Sequence, residues 1–195
     1  MRLNRCLIWF NLFIVLGCGK PGSNDNPSDN NPQSSDATGQ VVTDGRLEPE
    51  QTCLNSETRE SCLIGIEIFN QVNLRRQVEG IPYLDWQRDV ALVAENWSHQ
   101  QLKQGRISHD GFPEQRNRTH QRLFPNQVTP KMIAENVGLI GFQADAGTIA
   151  TMFVDMWMKS DGHRANMMSR ENSGIGVGVT RSQQRTVATQ IFTIQ

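Results

Sequence analysis

The chain has 195 residues, with 19 Lys and Arg against 20 Asp and Glu, four cysteines and four histidines. That length holds one ordinary domain plus accessory segments. The near balance of charge excludes the basic footprint that nucleic-acid binding requires.

Residues 1–18 are expected to be an export signal rather than part of the domain. Arg2 and Arg5 give a short positive region, Cys6 to Leu16 is mostly apolar, and Gly17-Cys18 closes the stretch, the tripartite layout of a secretory signal. This eleven-residue stretch falls short of the about 20 that a membrane-spanning helix needs. Val15-Leu16-Gly17-Cys18 resembles the lipobox of bacterial lipoproteins, which implies acylation of Cys18 and a membrane as partner. An ordinary signal carrying a chance cysteine is the alternative. Cleavage at Cys18 leaves 17 basic against 20 acidic residues. Gly19 stands where an aspartate would favour inner-membrane retention, so an outer-membrane or cell-surface lipoprotein is expected.

Residues 19–52 are rich in Ser, Asn, Asp, Pro and Gly, with Val41, Val42 and Leu47 almost the only large apolar residues. Such a stretch buries too little surface to offset its ordering entropy and reads as a disordered tether. The domain is then expected over residues 53–195. Cys53 and Cys62 remain as a pair in an oxidising compartment, and a structural disulfide is the natural assignment.

Ile64, Ile68, Phe69 and Val72 mark a wide apolar stripe at helical spacing, expected to end near Glu79-Gly80 before Pro82. A second helix follows Asp85, with Ala91, Ala94, Trp97, Ser98 and Leu102 on one side and Gly105 at its end. Arg116, Arg118 and Arg122 lie among polar neighbours and read as a solvated helix face or loop, as does His120; His99 reads as solvated too. After an irregular stretch, Ile149, Phe153, Met156 and Trp157 repeat the helical pattern behind an N-cap at Asp145, and Asp161-Gly162 breaks it. Trp86 and Trp157 fall on apolar stripes and are expected in the core.

Near the C-terminus, Ile175-Gly176-Val177-Gly178-Val179 alternates branched residues with glycine. That suits a strand packing bulk on one face and admitting close approach on the other. Val187 to Ile194 is a second strand, apolar on both faces in places as a central strand would be, and Arg181 to Arg185 joins the two as a hairpin. The expected class is α/β, an α-β-α sandwich with this antiparallel C-terminal hairpin between helical layers.

Three residues stand out for chemistry: His109 in Ser108-His109-Asp110-Gly111, Glu135 in Ile133-Ala134-Glu135-Asn136, and His163 in Gly162-His163-Arg164. Each is expected at an element boundary, where side chains can converge on a cleft. Periodicity alone does not bring them together. No Gly-x-Ser-x-Gly nucleophile motif is present, and Ser108 and Ser160 neighbour histidines only in sequence.

Five stretches in one register, Leu84-Asp85-Trp86, Ser108-His109-Asp110-Gly111, Ala134-Glu135-Asn136-Val137, Trp157-x-x-Ser160-x-Gly162-His163-Arg164-x-Asn166 and Gly174-Ile175-Gly176-Val177-Gly178, resemble the bacterial branch of the CAP superfamily (cysteine-rich secretory proteins, antigen 5, pathogenesis-related 1). The resemblance covers residues 63–195. It implies an α-β-α sandwich and a cleft of two histidines and two acids, here His109, His163 and Glu135, with Asn136 beside them. In some members the histidines bind a divalent metal such as zinc. The second acid belongs at Ser160, a departure that removes a carboxylate from the site.

Two imidazoles and a carboxylate suit an open zinc site, with His109 and His163 as ligands and Glu135 either a third ligand or a hydrogen-bonding support for an imidazole. They also suit acid-base chemistry, or a purely structural role. The favoured expectation is a non-enzymatic extracytoplasmic binding module whose ligand, a lipid or an envelope or other protein partner, lies in or beside the cleft. A metal-dependent hydrolase or peptidase and a structural envelope protein are the alternatives.

Overall fold

The computed structural model describes residues 42–43, 45–54, 56 and 58–194; the expected signal, Cys18 and residues 19–41 of the expected tether lie outside the described residues. The elements run β1 (Val42–Thr43), β2 (Arg46–Leu47), α1 (Pro49–Thr52), α2 (Arg59–Val78), β3 (Asp85–Trp86), α3 (Arg88–Gln104), α4 (Glu114–Leu123), β4 (Lys131–Ile140), α5 (Ala146–Met158), α6 (Asp161–Met168), β5 (Gly174–Arg181) and β6 (Thr186–Ile194). No described helix is long and apolar enough to cross a membrane.

The main sheet has the order β3-β5-β6-β4. β5 and β6 form the antiparallel hairpin, with Arg181 opposite Thr186, and β6 is central, almost wholly buried. β3 runs parallel to β5, while β4 pairs antiparallel with β6 along its length and forms the other edge.

The glycines of β5 decide how the layers meet. A Cβ on Gly176 would lie 2.3 Å from the Ala91 nitrogen, and one on Gly178 would lie 1.8 Å from the Glu95 nitrogen. The backbone of α3 therefore rests directly on this face of the strand. Val177 and Val179 point the other way, toward α2, whose Gly65 Cβ position is 3.1 Å from the Val177 carbonyl oxygen. α5 lies on the α2 side, joining the apolar cluster formed by Ile64, Ile68, Phe69, Phe153, Trp157 and Phe192. Helices cover both faces of a four-stranded sheet, the sandwich expected from the sequence.

α2 ends at Val78 and α3 at a left-handed Gly105 (φ 71°), as the sequence reads. Asp145 caps α5 through Oδ1, which accepts from the Thr148 amide at 3.0 Å. Trp157 is buried, donating Nε1–H to the Val137 carbonyl at 3.1 Å. Trp86 is partly buried, edge-on to Phe69 with centroids 5.4 Å apart. The Cys53–Cys62 disulfide is formed.

Four expectations are corrected. The folded part begins before Cys53: Leu47 is buried, its amide donates to Asn70 Oδ1 and its carbonyl accepts from Asn70 Nδ2, each at 2.9 Å. Residues 45–52 therefore pack on the domain, because Asn70 of α2 satisfies both backbone polar groups of the buried Leu47. Residues 131–140, read as irregular, form β4. Met156 is 38% exposed rather than part of the buried stripe. Asp161-Gly162 does not end a helix but opens α6; the break falls at Lys159-Ser160.

Candidate functional site

Glu135 lies in the middle of β4, not at an element boundary, and its side chain is 1% exposed. A carboxylate cannot sit there without partners. Arg116 of α4 supplies them: its Nε donates to Oε2 at 2.7 Å and its Nη2 donates to Oε1 at 3.0 Å, the two-pronged geometry that suits guanidinium to carboxylate. Arg116 is itself buried, lies 3.6 Å over the Trp97 ring centroid, and donates Nη1–H to the Asp110 carbonyl at 3.0 Å. The reading of Arg116 as solvated is thus corrected; Arg118 and Arg122 are exposed as expected.

His109 completes this arrangement. Its Nδ1 is 3.0 Å from Glu135 Oε1. A carboxylate only accepts, so Nδ1 carries the hydrogen and Nε2 is left for a ligand. The loop bearing His109 is pinned by Trp97 Nε1, which donates to the Ser108 carbonyl at 3.3 Å, and by Gln101 Oε1, which accepts from the Ser108 amide at 2.7 Å. Half the His109 side chain is exposed.

His163 reaches the same place from α6. The two imidazole centroids are 6.4 Å apart, tilted at 45°. α6 is held from below by Asn136, whose Nδ2 donates to the His163 carbonyl at 3.1 Å and to Gln190 Oε1 at 2.9 Å. Asn166 Nδ2 donates to Asn136 Oδ1 at 2.8 Å. Arg76 fixes the far end of α6, donating from Nη1 to the Met167 and Ser169 carbonyls at 2.8 Å; burial, then the nearby Arg170 charge, brings its pKa down to about 10. Burial, and secondarily the neighbouring His109, holds the His163 pKa below its ordinary value, which favours the neutral ring.

His109, Glu135 and His163 thus come together at the edge of β4. Asn136 is adjacent but fully buried and engaged in holding α6, so it is a support. Ser160 sits at the N-cap of α6 without a side-chain cap bond, and among the described residues no bond joins its hydroxyl to either histidine. His99 is exposed. His120, expected in solvent, is fully buried with Nε2 2.8 Å from Asp89 Oδ2 and its ring tilted against Phe124.

As a metal site, the donor set is narrower than the sequence implies. Both oxygens of Glu135 are engaged by Arg116 and His109, so the carboxylate is not a third ligand. Among the described residues no group of three or more His, Cys, Asp and Glu is spaced to hold an ion. Two imidazoles remain, one with its tautomer fixed and the other biased toward neutrality, and these are the forms that bind a divalent metal.

Residues 69–194 match the sequence model of the cysteine-rich secretory protein family, CAP. Among solved structures, the chain is similar to an extracellular protein containing an SCP domain from Bacillus anthracis, at 21% identity and TM-score 0.53 over 72% of this chain and 44% of that one. It is similar to an outer surface protein of Borrelia burgdorferi at 14% identity and TM-score 0.52, covering 66% of this chain and 90% of that one. It also resembles the CAP domain of enterococcal PrgA at 14% identity and TM-score 0.51, covering 72% and 63%. The chain therefore spans less than two thirds of the Bacillus and enterococcal proteins. No curated protein sequence matches it.

Proposed function

The chain belongs to the cysteine-rich secretory protein family, and from that premise we propose that it is an exported, membrane-anchored binding module that takes its ligand at the His109–His163 cleft. The observation that carries this reading is the state of Glu135. A carboxylate that accepts three bonds from Arg116 and His109 and whose side chain is 1% exposed is closed off from a substrate, which argues against a general base and for a rigid support of His109. The metal-dependent hydrolase loses its base in this arrangement.

His109 Nε2 and His163 would hold a divalent metal such as zinc, with water or ligand atoms filling the remaining positions. A bound ion supplies Lewis acidity or an anchoring charge; the chain contributes two oriented imidazoles and, through Arg116, a fixed Glu135. Export agrees with the signal-like residues 1–18 and with the extracellular and surface proteins whose fold it shares, and anchoring through Cys18 rests on the lipobox-like Val15-Leu16-Gly17-Cys18.

Thermal melts with and without zinc test the cleft, since a ligand stabilises by RT ln(1 + [L]/Kd). Zinc is expected to raise the Tm of the parent protein and to leave His109→Ala and His163→Ala unmoved. An equal rise in all three refutes the assignment. Zinc-dependent peptide hydrolysis by the parent protein would favour an enzyme instead. Cys18→Ser should release the protein from membranes, and retention would contradict the anchor.

A further inference from the structure

Away from the cleft, one hollow combines apolar walls with a poorly compensated carboxylate. A groove of about 510 Å³ runs between the start of α2, the outer side of α3 and the end of α4, walled by Leu92, Leu123, Phe124 and Val179. That volume lies within the range of small-molecule sites, and Leu92 and Leu123 remain 39% and 42% exposed. Glu95 enters this groove from α3. Its Oε1 accepts one bond, from the Thr58 hydroxyl at 3.2 Å, and among the described residues no lysine or arginine pairs with it.

Arg181, which also lines the groove, donates from Nη2 to Gln143 Oε1 and the Ala144 carbonyl and lies beside Glu60, and no bond joins it to Glu95 among the described residues. His99 stands one turn along α3 from Glu95, and its charge only partly opposes the effect of burial, which holds the Glu95 pKa above its ordinary value. A half-buried carboxylate with one neutral donor is costly. A ligand ammonium would provide the missing charge-assisted bond while its hydrocarbon part covers the exposed leucines.

We propose that this groove is a second ligand site, sharing no lining residue with the His109–His163 cleft, that takes a primary amine with an apolar body. The ammonium sits against Glu95 and the hydrocarbon lies along Leu92, Leu123 and Phe124.

Calorimetric titration of the full chain with hexylamine, hexanol and hexanoate at pH 8 tests this. Hexylamine is expected to bind about tenfold more tightly than either relative, the scale of one charge-assisted hydrogen bond. Glu95→Gln should reduce hexylamine to the level of hexanol and leave hexanol unchanged, which also reports that the groove is intact. His163→Ala should leave all three affinities as they are. The proposal is overturned if none of the probes binds, if hexanoate equals or exceeds hexylamine, if the amine preference survives Glu95→Gln, or if it disappears with His163→Ala.

Discussion

Arg116 and Glu135, nineteen residues apart, form a buried two-pronged ion pair at 2.7 and 3.0 Å, with Trp97 stacked beneath the guanidinium. The pair links α4 to the edge strand and, through Glu135 Oε1, sets the ring of His109. Removing one partner strands the other charge out of water, which costs about 3–5 kcal/mol. Arg116→Met should lower the urea-denaturation stability by that amount. The double variant Arg116→Met, Glu135→Leu should recover much of the loss, because no charge is then stranded. A loss below about 1 kcal/mol in the single variant would show that the pair is not a buried one.

The close contact between α3 and β5 predicts opposite outcomes for two glycines. In Gly178→Ala the new methyl meets the backbone of Ala94 and Glu95 at 1.8–2.4 Å, and main chain cannot rotate aside. The expected cost is about 3 kcal/mol or more. Gly162→Ala, in the first turn of α6 with nothing within 4 Å of its Cβ position, should stabilise by about 0.4–1 kcal/mol. Equal effects of the two on the denaturation midpoint would contradict the helix-on-strand packing.

The same contact explains what was legible beforehand. The glycine alternation of β5, the stripes of α2 and α5 and the hairpin are local patterns with fixed periods, so the sandwich could be read from them. Arg116 and His120 could not, because their partners Glu135 and Asp89 lie 19 and 31 residues away and their own neighbours are polar. β4 was hidden because Glu135 and Asn136 interrupt its apolar run, each satisfied by groups from other elements. His109, His163 and Glu135 stand out by motif; that they come together is a property of α6 and of the edge strand, which no local period encodes.

The Cys53–Cys62 bridge joins positions nine apart in sequence, from the end of α1 to the first turn of α2. In the chain-entropy account, opening such a loop costs about 2–3 kcal/mol. The double variant Cys53→Ala, Cys62→Ala should therefore unfold at lower urea, and a reductant should move the parent protein to the same midpoint while leaving the variant where it is. A midpoint insensitive to reductant would mean that the bridge contributes nothing.

Glu95 gives a pH-dependent prediction with a definite sign. Burial, opposed by the Thr58 bond and by His99, raises its pKa above the ordinary 4.5, so the folded chain holds this proton more tightly than the unfolded chain does. Stability from this group is fully present below pH 4.5 and is lost as the pH climbs through the raised folded value. Glu95→Gln keeps an acceptor for Thr58 and removes the charge. Its Tm should exceed that of the parent at pH 7.5, with the difference shrinking toward zero at pH 4. The reverse pattern, a variant weaker at pH 7.5, would mean that Glu95 is paired with a cation in the folded chain; the groove would then lack the uncompensated charge that suits it to an amine.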